Sequence, residues 1–195
     1  YAVLDGFDLG AGVLHLFVAK NDAERRVVIR SIGPVWDGNE VWLIAGAATL
    51  FLAFPPVFAR AFAGFYLPLN IVLWLLVFRA LGIELRHQMD HPLWNQAWDV
   101  AFAGASALLA FGFGAALGNV VRGVSILEDG TFFAPLWNRM DMTDPVGVLD
   151  PYTILVGTTT VAVLSMHGCL WLCARTRGGV RERALGLRVG RVAAG

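Results

Sequence analysis

The chain has 195 residues, 15 basic and 15 acidic side chains and a formal net charge of zero; 57% of it is hydrophobic, with seven Trp and 13 Phe. A mean hydropathy of +0.62 exceeds what a water-soluble domain carries and predicts an all-α, polytopic transmembrane helix bundle. No soluble domain or nucleotide motif appears, and no nucleic-acid partner is expected.

Crossing about 30 Å of hydrocarbon takes about 20 helical residues, and five segments meet or approach that length: 1–19, 35–54, 62–83, 98–118 and 152–173. In the first, Asp5, Asp8, Gly12 and His15 recur at spacings that put all four on one helix face. There is no initiating Met, basic n-region or cleavage site, so Tyr1 does not read as the start of a signal peptide. The expectation is a fragment, or the ordered part of a longer chain.

The loop after it holds Lys20, Arg25, Arg26 and Arg30. The second span opens on Trp36-Asp37-Gly38-Asn39-Glu40, an acidic cluster at the mouth of an apolar run. Carboxylates at membrane depth are costly and commonly serve proton or ion movement. They also serve as helix caps, as acceptors for Asn39 or Trp indoles, or as partners for Arg79; the residues alone leave these readings open for Asp5, Asp8, Asp37 and Glu40. A proton-coupled secondary transporter and a purely structural subunit are the rival functional classes.

Pro55-Pro56 ends the second span. Phe51, Phe54, Phe58, Phe62, Phe65 and Tyr66 gather where the second and third spans meet, either as an interfacial belt or around the tail of a structural quinone. Arg79 and Arg86 flank the end of the third span. His91-Pro92-Leu93-Trp94 reads as an interfacial turn with Trp94 and Trp98 at headgroup depth, and Asn95 or Asp99 is expected to cap the fourth span. Small residues from Gly104 to Ala115 permit close helix packing. The 119–151 loop is acidic, with Glu128, Asp129, Asp141, Asp144 and Asp150, and Asp150-Pro151 is expected to start the fifth helix.

Cys169 and Cys173 lie on one helical face and suit packing; no zinc-type pattern surrounds them. His15, His87, His91 and His167 read as satisfied or interfacial polar residues rather than metal ligands. Residues 175–195, with six Arg, are expected to form a basic tail or linker. The positive-inside rule puts the 20–34 loop and this tail in the cytoplasm and the 119–151 loop outside.

Asp5-Gly6-Phe7-Asp8-Leu9-Gly10, Asn21-Asp22-Ala23-Glu24-Arg25-Arg26 and Gly33-Pro34-Val35-Trp36-Asp37-Gly38-Asn39-Glu40-Val41-Trp42-Leu43 together resemble subunit II of cytochrome bd quinol oxidases. Ala63-Gly64-Phe65-Tyr66, Trp98-Asp99 and Gly118-Asn119-Val120-Val121-Arg122-Gly123 extend the resemblance across most of residues 1–173. It implies a multi-pass protein of the bacterial cytoplasmic membrane, with eight helices in the family against about five here. It also implies a partner, subunit I, that carries two b-type hemes, one d-type heme and the quinol site, while subunit II binds none of these; a small accessory subunit is a further possible partner. Asp37 matches an aspartate placed in this family on a proton path from the cytoplasm. Glu40 matches a position that is Gln in some relatives, Asp8 matches an acidic position, and Trp36, Asn39 and Gly12 belong to the motifs or to helix packing.

Overall fold

A computed structural model describes residues 1–124, 126, 130, 135–137 and 147–192. Their regular structure is helical apart from one isolated bridge, Trp137 to Leu149. The helices are α1 (Gly6–Val18), α2 (Asp22–Ile32), α3 (Trp36–Ala53), α4 (Pro55–Gly64), α5 (Tyr66–Glu84), α6 (Pro92–Arg122), α7 (Pro151–Arg175) and α8 (Gly179–Val192), with a 3-10 turn at Leu85–His87. Glu128, Asp129, Asp141 and Asp144 of the expected acidic loop lie outside the described residues.

Local chemistry sets the boundaries. Asn21 accepts from the Glu24 amide at 2.9 Å and starts α2. Asp150 and Thr153 form a reciprocal capping box, with Pro151 in the first turn of α7. Pro55 ends α3 as expected and also opens α4, because proline suits a first turn and cannot continue one.

Among the described residues, three helical stretches are long and apolar enough to cross a membrane: Tyr66–His87, Pro92–Arg122 and Pro151–Arg175. The other two expected spans are also helical, but α1 has 13 helical residues and α3 carries its carboxylates in its first two turns. Three further expectations are corrected. The basic loop after α1 folds into α2, which buries Val28, Ile29 and Ile32. The fourth span begins at Pro92 with His91 as its N-cap, so Asn95 and Asp99 lie inside the helix and cap nothing. The expected linker forms α8, which buries Val180 and Ala184 and receives the Cys169 thiol on the Ala184 carbonyl at 2.9 Å.

The core is a three-helix unit of α1, α6 and α7, with α5 against α6 and α8 against α7. One apolar cluster joins Ala11, Leu14, Val18, Val28, Ile32, Phe102, Leu172 and Ala184; a second joins Leu9, Leu109, Ala110 and Leu164. The tightest packing is between α1 and α7. A Cβ at Gly10 would meet the backbone of Leu164, and one at Gly168 would meet the backbone of Gly10. Helix α3 contributes no buried residue, and α5 contributes only Arg79, Gly82 and Ile83.

Because backbone cannot yield as a side-chain tip can, Gly168→Ala is expected to push α1 off α7, with an overpacking cost of about 1–3 kcal/mol. A lowered thermal midpoint of the full-length protein in detergent would show it, whereas an unchanged midpoint would mean that the contact is loose.

Candidate functional site: two buried charge clusters on one helix face

Asp5, Asp8 and His15 are all fully buried on α1, and the structure divides them between two clusters. A rise of 1.5 Å per residue separates Asp8 from His15 by about 10 Å along the helix.

The first cluster joins α1, α3 and α5. Arg79 donates through Nη2 to Asp5 Oδ1 at 3.3 Å and through Nη1 to Glu40 Oε1. Asn39 donates to Asp8 Oδ2 at 2.7 Å. Three of the four expected proton-path carboxylates, Asp5, Asp8 and Glu40, are therefore brought together around one guanidinium, with Asn39 as the fourth polar partner. Asp37 is not part of this knot. It lies exposed in the first turn of α3, close enough to Glu40 for the two charges to act on each other. Trp36 is partly buried against the first apolar cluster. Gly12 has the side chain of Ser106 directly against it, so its role is to let α6 approach α1.

The second cluster joins α1, α2, the 3-10 turn and α6 around Asp99, which is fully buried. His15 Nε2 lies 2.6 Å from Asp99 Oδ1. Arg86 grips the carboxylate with two donors, Nε to Oδ1 at 2.6 Å and Nη2 to Oδ2 at 3.1 Å, and Arg25 adds Nη1 to Oδ2 at 2.9 Å. Such forked, charge-assisted bonds are the strongest that side chains offer. Arg86 Nη2 also reaches Asp22 Oδ1 at 2.6 Å, and Arg26 reaches Asp22 Oδ2 at 2.7 Å.

Sequence reasoning kept Arg79 as a partner for the acidic residues but missed Asp99 as a hub and the roles of Arg25, Arg86 and Asp22. The signal was available. An aspartate seven residues into a membrane helix must find a cation, and Arg86 and the arginines of the basic loop were the nearest candidates in the chain.

Outside the membrane segments, Arg183 ties α8 both to the end of α1 and to α2. Arg183 of α8 donates to the Val18 carbonyl at 2.7 Å and pairs with Glu24 at 2.5 Å. The hydrogen bond from Arg183, with help from the Lys20 amide, holds the Glu24 carboxyl below its usual range. For Asp22, partial burial acts upward but is outweighed by the hydrogen bonds from Arg86 and Arg26, so its carboxyl is also held low.

Residues 1–194 of the chain match the family model for cytochrome bd terminal oxidase subunit II. The chain belongs to that family. It is 35% identical over 192 residues to the probable cytochrome oxidase subunit 2 of Haemophilus influenzae, covering 94% of this chain and 47% of the relative. It is 37% identical over 191 residues to the cytochrome bd-I ubiquinol oxidase subunit 2 of Escherichia coli K12, with the same two coverages. It is also 37% identical over 181 residues to the cytochrome bd ubiquinol oxidase subunit 2 of Bacillus subtilis, covering 93% of this chain and 51% of the relative. The chain thus spans about half the length of the curated relatives it matches. As a cytochrome bd subunit II family member it is a membrane protein, and the sequence-level resemblance is established as kinship.

Two outcomes follow for the clusters. Asp99→Ala would leave Arg86, Arg25 and His15 facing one another without an anion, a loss of about 3–5 kcal/mol for a broken buried pair; the yield of folded full-length protein should collapse. Since Asp22 and Glu24 have lowered folded-state pKa values, the stability they supply is fully present above the ordinary carboxylate pKa of about 4 and is lost as pH falls through the lowered values. The hydrogen-exchange protection factors of the α2 and α8 amides, with the intrinsic pH dependence of exchange divided out, should be constant from neutral pH down to about pH 5 and fall only below the ordinary carboxylate range.

Proposed function

We infer that this chain works as subunit II of a membrane quinol oxidase complex of the cytochrome bd type, in which quinol is oxidised and oxygen is reduced to water. It supports assembly with a heme-bearing subunit I and supplies part of the route by which protons reach the oxygen-reducing site. The observation that carries this reading is the meeting of Asp5 and Glu40 on the single cation Arg79, with Asp8 held beside them by Asn39 and Asp37 exposed about one turn from Glu40. Three carboxyls with one guanidinium among them would leave uncompensated negative charge in a low-dielectric site if all were ionised. Such a cluster therefore has room to hold a proton.

Orientation follows from the basic residues at the end of the bundle formed by α2, the 3-10 turn and α8, which the positive-inside rule assigns to the cytoplasm. Asp37, Glu40 and Asp8 then lie successively deeper from that face. Asp37 takes a proton from water, Glu40 receives it within the same helix, and the Asp5–Asp8 pair holds it nearest the membrane centre. Arg79 keeps Glu40 and Asp5 facing each other, and Asn39 fixes Asp8 by donating to one carboxylate oxygen.

We assign axial heme ligation to the partner, and the surroundings of two of the histidines support that reading. His15 Nε2 is taken by Asp99, His167 packs edge-on to Phe7, and among the described residues no three His, Cys, Asp or Glu converge on a metal position. Heme chemistry supplies the electrons to oxygen in the complex, and we assign it to the partner. The aromatic group at α3 to α5 includes Phe51 edge-on to Phe58 and Phe58 stacked on Phe62 at 4.0 Å. With Phe51, Phe54, Phe62 and Tyr66 exposed, it suits a lipid-facing belt or the contact of a quinone tail. A proton-coupled transporter would require broken helices at mid-membrane; α6 and α7 run unbroken for 31 and 25 residues.

The test is Asp37→Asn in the full-length subunit within its native complex. Turnover and proton uptake during oxygen reduction should both fall while heme bands persist. Wild-type values for both would remove Asp37 from the path.

A further inference from the structure

Two buried carboxyl oxygens of the first cluster are left over. Arg79 takes Asp5 Oδ1 and Asn39 takes Asp8 Oδ2; Asp5 Oδ2 and Asp8 Oδ1 are buried, and neither has a hydrogen bond of ordinary geometry. The two residues are three apart at the start of α1, on one helix face, and both are fully buried. Their carboxyls meet within hydrogen-bonding reach. Tyr1 completes the group. Its ring lies edge-on to Phe113 of α6, with centroids 5.1 Å apart, and its buried hydroxyl is turned to Asp5.

Two ionised carboxylates do not make such a contact. Both are acceptors only, and like charges at this range in a low-dielectric interior repel strongly enough that one of the two keeps its proton. No water fits between groups in direct reach of each other. A proton on one of the pair turns the contact into a charge-assisted O–H···O bond and satisfies both left-over oxygens at once.

The neighbours decide which residue carries it. Asp5 has the Arg79 guanidinium and the Tyr1 hydroxyl beside it, so a negative charge there is compensated. Asp8 has only the neutral amide of Asn39, on Oδ2. Glu40 of α3 also faces Asp5 and has Arg79 as its own partner. The helix start favours an anion at both aspartates and does not choose between them.

We propose that Asp5 and Asp8 share one resident proton, carried on Asp8 Oδ1 and donated to Asp5 Oδ2, and that Tyr1 is a positioning residue that holds Asp5 as the acceptor. The sharing stands on the geometry of the pair; what the pair then does rests on the proton-supplying role inferred above. It enters the path already holding one proton and has room for one more, on Asp5. Loading forms one O–H bond on Asp5 and unloading breaks one O–H bond of the pair. No electrons move. With Asp5 neutral, Arg79 keeps Glu40 as its anion.

The experiment uses the native oxidase complex with the full-length subunit and takes infrared difference spectra, wild type minus variant. The carbonyl stretch of a protonated carboxyl stands clear of the amide bands and shifts in heavy water. Asp8→Asn should remove such a band with heme content unchanged, because its amide reproduces the donor toward Asp5. Asp5→Asn should remove the same band although Asp8 is still present, because the new amide donates to Asp8, which ionises beside the freed Arg79. Tyr1→Phe should keep the band and shift it. Tyr1 acts on Asp5, so it reaches the Asp8 carbonyl through the shared bond, and a tyrosine that only fills space would leave the frequency unchanged. Asp8→Asn and Tyr1→Phe decide the matter if Asp5→Asn fails to assemble. A band that survives Asp5→Asn in place gives the proton to Asp8 alone and overturns the sharing. No band lost in either aspartate variant means that both carboxyls are ionised, and overturns it outright. Band losses as expected, with wild-type proton uptake during oxygen reduction in Asp8→Asn, would uphold the shared proton and remove the pair from the path; a fall in uptake of roughly twofold or more upholds both.

Discussion

A charge placed at membrane depth must meet its opposite there, because water is not available to solvate it and an unpaired ion in a low-dielectric interior is expensive. Arg79 and Asp99 both obey this constraint, and the arrangement of α1, α3, α5 and α6 follows from how they do so. Arg79 is fully buried and bonds to α1 through Asp5 and to α3 through Glu40. Asp99 is fully buried and bonds to α1 through His15, to α2 through Arg25 and to the 3-10 turn through Arg86. Apolar packing holds α1, α6 and α7 together; the charges decide where α2 and α3 attach.

The two hubs differ in stoichiometry, and that difference divides their chemistry. Around Asp99, two guanidiniums and an imidazole surround one carboxylate, so the anion is heavily compensated and suited to holding elements in place. Around Arg79, two carboxylates bind one cation and a third, Asp8, is next to them with only an amide as donor. An excess of carboxyls is the arrangement in which protons come and go. The first hub has cations in excess and the second carboxyls, and they sit about two turns apart on one helix.

Much of this was legible in the residues. The spacing of Asp5, Asp8, Gly12 and His15 put them on one face, and all four do line the polar side of α1. The apolar runs became helices, and Asp150-Pro151 became a cap. What was not legible came from tertiary partners. Asp99 looked like a helix cap because a lone Asp near a proline-bounded start usually is one; Pro92 moved the start upstream and freed Asp99 to bind two guanidiniums and an imidazole. The segment after α1 read as a basic loop and residues 175–195 as a basic tail or linker, since Arg is their most visible feature. Each folds because a few apolar residues, Val28, Ile29 and Ile32 in α2 and Val180 and Ala184 in α8, find the end of the same core. Asp37 was rightly placed at a helix entrance, but its separation from the Arg79 knot depended on side-chain placement that no spacing rule gives.

The backbone contact between Gly10 and Gly168 has a mechanical meaning. At about 100° per residue, Gly10 points about 180° away from the mean direction of Asp5, Asp8, Gly12 and His15. Helix α1 is thus gripped from behind by α7 while its polar side looks toward α6. A turn of α1 by one residue would swing that side away from its partners, and the two glycines, with no side chains to act as bearings, index the helix against such rotation. The azimuth of every ionisable group on α1 is therefore set by two residues that carry no functional group at all.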